Sequence, residues 1–191
     1  MALSKRQPRL SASDWAQAAL DVIAEQGVAA IAVEPLARRL KVTKGSFYWH
    51  FPSRDALLQA ALECWETLEQ ERIFGGIEQM PDPRERLRTL FQIVGQEAKP
   101  HIIYGELLRV SNHPIVQPVI DRVSQRRQAF LTTAYREVGF SDIEAAYRAR
   151  LTYSAYVGFL QLSFQLRQQP KLTHEEFDAY LEHVTATLIP K

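Results

Sequence analysis

Residues 33–51 read VEPLARRLKVTKGSFYWHF, and two short apolar stripes with helical spacing lie within them. Leu36, Ala37 and Leu40 form the inner side of one helix over about residues 33–40. Phe47 and Phe51, four positions apart, form the inner side of a second, capped by Thr43 and running to about Trp49. Pro35 is tolerated because the first turn of a helix has no use for its missing N–H. Small Ala37 permits a close crossing of the two helices and Val42 plugs the turn between them, which together describe a helix-turn-helix.

If the phenylalanines point inward, the second helix presents Thr43, Lys44, Gly45, Ser46, Tyr48 and His50 to solvent. Five adjacent positions, Phe47 to Phe51, cannot all face a core. That outward set has the chemistry of a DNA groove partner. Hydroxyls and free helix N–H groups bind phosphate oxygens, Lys44 reaches a phosphate or a guanine edge, and Gly45 lets the backbone approach closely. Tyr48 and His50 can donate to phosphates along the groove wall, as can Arg54 at the start of the next helix. Trp49 is left open between core and groove wall.

On the N-terminal side, Ser11 and Asp14 mark a helix start, and Trp15, Ala19, Val22 and Ile23 line one face before Gly27 stops it. On the C-terminal side, Ser53 caps a long helix expected over 53–74, bearing Leu57, Leu58, Ala61, Leu62, Trp65 and Leu68. Gly75, Gly76, Pro81 and Pro83 mark the expected break, followed by helical segments near 83–98, 102–112, 115–138, 142–168 and 173–189. Pro100, His113-Pro114, Gly139 and Pro170 punctuate them. The fold class is all-α, divided into a helix-turn-helix domain over 1–54 and a helical body over 55–191.

Charge distribution supports a nucleic-acid contact at one end. Residues 1–60 hold eight Lys/Arg against five Asp/Glu, whereas the rest holds fifteen against seventeen. Lys5, Arg6 and Arg9 read either as a solvated tail or as an arm for a minor groove. No stretch approaches the roughly 20 apolar residues of a membrane span. The N-terminus lacks the apolar core of a secretory signal. Cys64, the single cysteine, is expected to be a buried thiol, and the expected location is the cytoplasm, at the nucleoid.

The passage Gly27-Val28 … Leu36-Ala37-Arg38-Arg39-Leu40-Lys41-Val42-Thr43-Lys44-Gly45-Ser46-Phe47-Tyr48-Trp49-His50-Phe51 … Arg54-Asp55-Ala56-Leu57-Leu58 resembles the N-terminal signature of the tetracycline-repressor (TetR) family. The resemblance covers about residues 11–60. It implies a homodimer with a three-helix DNA-binding head and a helical body, whose last two long helices build an intermolecular four-helix bundle. It also implies a near-palindromic operator and a small-molecule effector that releases it. Two heads reading successive major grooves would then lie about 34–36 Å apart. Carried over by position, Lys44, Gly45, Ser46, Tyr48, Trp49 and His50 fall on the recognition helix and Arg54 on the phosphate-contacting start of the fourth. Two positions depart from the family pattern. Lys41 stands where a turn glycine is usual, and Ala32 where Ser or Thr commonly caps the second helix.

In the body, Phe91, Tyr104, Leu108, Phe130, Tyr153, Tyr156 and Phe159 are candidates to line an effector pocket. The segment 145–166 is apolar on more than one side, so it needs two partners. Tyr153, Leu160, Phe164, Phe177, Tyr180, Leu181, Val184 and Leu188 are the candidate dimer contacts. His101, His113, His174 and His183 lack metal-ligand spacing and read as surface or satisfied-core residues. Phosphate loop, nucleophile elbow and paired Cys-x-x-Cys motifs are all missing from the sequence. The expectation is therefore a regulator without cofactor, metal or catalytic activity. Its rivals are a DNA-bound structural or recruiting factor without a ligand, and an enzyme or carrier using the body cavity.

Overall fold

The computed structural model describes residues 10–96, 98–165 and 173–189, and among these it contains helices and no strand. The chain divides into two compact units, residues 1–65 and 66–191, with the division falling inside one helix.

In the first unit, α1 (Ala12–Gln26) starts at a full capping box. The Ser11 side chain accepts from the Asp14 N–H, and the Asp14 carboxylate accepts from the Ser11 N–H at 2.7 Å. These hydrogen bonds from Ser11 hold the Asp14 carboxyl below its ordinary pKa. Gly27 ends the helix at φ 85°. A single 3₁₀ turn, Val28–Ala30, leads to α2 (Val33–Arg39), and α3 (Lys44–Tyr48) follows. The core of this unit is hydrocarbon and aromatic: Trp15, Ile23, Leu36, Phe47, Leu57, Leu58 and Leu62 are fully buried. Trp15 meets Phe47 edge to face with ring centroids 5.3 Å apart.

The turn between α2 and α3 is a Schellman motif. The Lys41 N–H donates to the Arg38 carbonyl at 3.1 Å and the Val42 N–H to the Ala37 carbonyl at 2.9 Å. Its left-handed position belongs to Lys41, φ 57°, where glycine would be unstrained. The departure noted in the sequence therefore costs backbone strain and does not alter the turn. At the other departure, Ala32 holds the N-cap position of α2 without a side-chain hydrogen bond.

The helix α4 (Arg54–Glu69) begins where expected, with Ser53 Oγ accepting from the Ala56 N–H at 3.1 Å. The expected break at Gly75 and Gly76 is corrected. A π-helical turn, Gln70–Phe74, leads directly into α5 (Gly75–Ile77), and the chain leaves helix only near Pro81. Ile73, Phe74 and Ile77 explain why, since together they form a buried apolar cluster that outweighs the poor helix propensity of the two glycines.

The second unit continues with α6 (Pro83–Gln96), α7 (Ala98–Arg109), α8 (Gln117–Val138), α9 (Asp142–Gln165) and α10 (His174–Leu188). Pro100 lies in the first turn of α7 and does not precede that helix, as the sequence reading had placed it. Gly139, φ 115°, terminates α8, and a capping box of Thr173 and Glu176 opens α10. α8 and α9 form the most extensive packed pair. Leu87 and Phe91 of α6, Leu131, Ala134 and Tyr135 of α8, Ala145 and Ala149 of α9, and Leu188 make its apolar core. None of the helices in the described residues is long and apolar enough to cross a membrane. Cys64, expected to be buried, is partly exposed.

Candidate nucleic-acid interface

α3 is too short to persist by itself, so its orientation is set by its two anchors. Phe47 is fully buried and Phe51 nearly so, with ring centroids 5.8 Å apart. With those rings fixed, Thr43, Lys44 and Gly45 are exposed, Tyr48 is 56% exposed and Trp49 86% exposed, while Ser46 and His50 are half-buried. Trp49, left open by the sequence, thus belongs to the outer surface. A Cβ on Gly45 would meet nothing nearer than Thr43 Oγ1 at 3.7 Å, so the fold itself does not require glycine there.

Thr43 occupies the N-cap position of α3, yet its side chain makes no capping hydrogen bond. The expected cap is therefore corrected: the α3 N-terminus relies on the Ser46 N–H to Thr43 carbonyl bond, 3.0 Å. Lys44 is not a free amine either. Its Nζ donates to Glu34 Oε1 at 2.8 Å, and this hydrogen bond raises the lysine pKa and lowers that of the glutamate. Both groups are well exposed, so the ion pair is weak and exchangeable.

Arg54 is engaged within the motif. Its Nε donates to the Ile31 carbonyl at 2.9 Å, its Nη2 to the Val28 carbonyl at 3.1 Å, and its Nη1 to Asp55 at 3.2 Å. The guanidinium ties the start of α4 to the 3₁₀ turn that precedes α2. It therefore helps hold the motif together, a role additional to the phosphate contact expected from the sequence. A second clamp joins α2 to α1, with the Arg39 guanidinium gripping both oxygens of Glu25 at 2.7 and 2.6 Å.

The body candidates separate into distinct places. Tyr104, Tyr153 and Tyr156 come together, whereas Phe91 lies in the apolar core, Phe130 packs on Phe74 at 5.0 Å, and Phe159 stacks on Tyr180 at 5.3 Å. Leu108 is half-buried. The three tyrosines surround Arg127 and Glu69, which the sequence reading did not single out, and His101, which it read as a surface or satisfied-core residue. Arg127 is buried with its Cζ 4.1 Å from the Tyr104 ring centroid and 5.1 Å from that of Tyr156, and it forms an ion pair with buried Glu69. His101 Nδ1 bonds the Tyr156 hydroxyl at 2.7 Å, and the hydroxyls of Tyr104, Ser124 and Tyr153 bond one another.

Burial first, then the nearby Arg127 charge, lowers the His101 pKa to about 4. Burial pushes Tyr156 up to about 12 and raises Tyr104. Burial alone would lower the Arg127 pKa, but Tyr156, Glu69 and Tyr104 outweigh it and keep the guanidinium charged. A signal for Arg127 did exist in the sequence. It sits four residues from both Val123 and Leu131, on the buried stripe of α8.

Of the candidate dimer contacts, Leu160 and Leu188 are buried within the chain and Tyr153 bonds inside the polar cluster. Phe177, Leu181 and Val184 are half-buried and Tyr180 is 36% exposed, while the side chain of Phe164 lies outside the described residues, as do Lys5, Arg6 and Arg9. Tyr147, Leu151 and Leu162, which the sequence reading placed in the segment apolar on more than one side, and Ile143, which it did not name, are strongly exposed apolar residues of α9. Among the described residues, no group of three or more His, Cys, Asp or Glu is placed to hold a metal ion.

The described residues thus form a helix-turn-helix with an outward polar face, followed by an all-helical body. Residues 17–61 match the family model described as bacterial regulatory proteins, tetR family. A Bacillus subtilis protein called an uncharacterized HTH-type transcriptional regulator is 26% identical over 116 residues, 60% of this chain but only 40% of that protein's length. The nucleoid occlusion factor SlmA of Vibrio atlanticus is 25% identical over 174 residues, covering 85% of this chain and 87% of that protein. The structure of AibR in complex with isovaleryl coenzyme A and operator DNA superposes with a TM-score of 0.70 at 18% identity, over 94% of this chain and 98% of that one. Residues 17–61 are thus similar to the N-terminal region of tetR-family regulators, and the chain shares the fold of a TetR transcriptional regulator from Legionella pneumophila, TM-score 0.75 at 18% identity over 100% of both chains.

Proposed function

We propose that the protein is a cytoplasmic homodimeric repressor that holds a near-palindromic operator and releases it when a small molecule enters the body. The observation that carries the DNA-binding part is the pair of anchors, Phe47 and Phe51, which leave Thr43, Lys44, Tyr48 and Trp49 exposed on and beside one short helix, with His50 half-buried next to them. The effector part is supported by the buried cluster of Arg127, His101 and three tyrosines, and by the ligand and operator named in the AibR complex.

Dimerisation is supported by α9. Ile143, Tyr147, Leu151 and Leu162 repeat at near multiples of a helical turn and are 67%, 68%, 59% and 47% exposed, and a Cβ on Gly158 in the same helix would meet open space. A face of this kind on α9 and α10 fits a second copy of the chain.

Mobility shifts on the DNA flanking the protein's own gene test this reading. The wild type should bind specifically with strong salt dependence. Lys44→Ala should weaken binding across sequences and reduce the salt slope by about 1, and Tyr48→Ala should weaken it without unfolding the chain. Absence of specific, salt-sensitive binding refutes the reading. A second reading, a DNA-bound recruiting factor without an effector, is favoured by the likeness to the nucleoid occlusion factor. Thermal-shift screening separates the two, because only a repressor gains stability from a small molecule that also weakens operator binding.

A further inference from the structure

The buried cluster between α4, α7, α8 and α9 is difficult to explain by stability. Replacing a buried ion pair with packed apolar residues is often neutral or stabilising, yet here Arg127 and Glu69 sit among His101, Tyr104, Tyr153 and Tyr156. The ion pair is also incomplete. Glu69 Oε1 meets only Nη2, and Nη1 of Arg127 is buried with no hydrogen-bond partner. A guanidinium presents two parallel donors, a geometry that a planar carboxylate fills with both oxygens. Nη1 is the donor of that fork left for a second acceptor, with the Tyr156 hydroxyl beside the guanidinium.

We propose that Arg127 is the anchor for a small organic carboxylate, which takes the guanidinium from Glu69 and so frees the C-terminal end of α4. This rests on reading the body as the effector site and adds to it the chemical class of the effector and the group it displaces. Charge balance supports exchange over simple addition. Arg127 and Glu69 cancel, and His101 and the phenols are neutral at pH 7, so a further anion would leave a buried net negative charge unless Glu69 departs. Glu69 is placed to depart, being the last residue of α4 immediately before the π-helical turn Gln70–Phe74. Once Glu69 has gone, this end of α4 still meets α8 through Glu66 with Arg122 and Arg126, whose guanidinium side chains are 48% and 34% exposed. Ion pairs exposed to water hold weakly. The hydroxyls of Tyr153 and Ser124 and the His101 ring would complete the donors around the incoming group.

Thermal melting of the full-length protein with acetate, butyrate, octanoate, benzoate and phenylacetate, each paired with its neutral amide, tests the exchange. At about 100 times Kd a bound acid should raise the Tm by about 5–10 °C, and the matching amide should not. In Glu69→Ala, where no carboxylate competes, the acid concentration giving half the shift should fall about tenfold or more. If that variant is unfolded alone, recovery of its helical circular dichroism by acid but not by amide is the equivalent readout. The charge-free double variant Arg127→Met/Glu69→Leu should fold and lose the response.

The proposal is overturned if no acid in the series acts on the wild type beyond its amide, if the double variant responds like the wild type, or if Glu69→Ala gains nothing. Operator binding is measured in the same mixtures. Acid binding without operator release leaves the site standing and removes the repressor reading. Operator binding that no acid touches leaves the DNA reading standing and removes the site.

Discussion

Phe47 in the head and Arg127 in the body occupy equivalent places, since each sits on the buried face of its helix, yet one is a hydrocarbon ring and the other a charge. In the head, polarity lies on the outside. Lys44, Tyr48 and Trp49 face solvent while the phenylalanines hold the helix from below. In the body, polarity lies inside, where an arginine, a glutamate, a histidine and three tyrosines meet. The head is therefore built to keep its shape, because a packed apolar core has one good arrangement. The body holds groups whose favourable state depends on what partners they have.

Substitution at the two centres should show the difference most strongly. Phe47→Ala should cost about 3–5 kcal/mol, and no second substitution nearby should restore it. Arg127→Met alone should cost a similar amount, about 3–5 kcal/mol, because it leaves Glu69 buried without its partner, but adding Glu69→Leu should recover most of it. Denaturant melts of the three variants measure this. A double variant as unstable as the single would mean that the ion pair is structural and the comparison fails.

The largest pH effect should lie in the body. The folded pKa of His101, about 4, lies below the ordinary 6.5. Its contribution to stability is therefore fully present above pH 6.5 and is lost as pH falls through 4, an effect of order 3 kcal/mol. The difference in stability between wild type and His101→Gln across pH 4–7 isolates it from the carboxylates that titrate nearby. A constant difference would show that the histidine protonates freely. The smallest expected effect belongs to the head. Lys41→Gly should relieve the left-handed strain at φ 57° and stabilise by up to about 1 kcal/mol, less the entropy that glycine adds to the unfolded chain. A loss of stability would mean that the Schellman turn carries no strain at that position.

The same contrast explains what could be read from the residues alone. The helix-turn-helix was legible because its determinants are neighbours: Ala37, Val42, Phe47 and Phe51 lie within fifteen residues and act through local spacing. Ser11, Ser53 and Gly139 are likewise local signals, and each lies at the helix boundary it marked. The role of Arg54 was not legible, because its partners, the carbonyls of Val28 and Ile31, are backbone atoms some two dozen positions away and leave no mark on composition. Glu69 and Arg127 are separated by nearly sixty residues and come from two helices, so neither signals the other. The continuation of helix through Gly75 and Gly76 depended on Ile73, Phe74 and Ile77 finding a common core, a tertiary effect that overrode propensity.

The central claim is that the α3 face meets a duplex, and the three tryptophans allow a direct test. Trp15 and Trp65 are buried, and only Trp49 is exposed. Acrylamide should therefore quench one emitting component in the free protein, Trp49→Phe should abolish it, and saturating operator DNA should protect it. A Trp49 component as open to quencher on the bound operator as in the free protein would contradict the account.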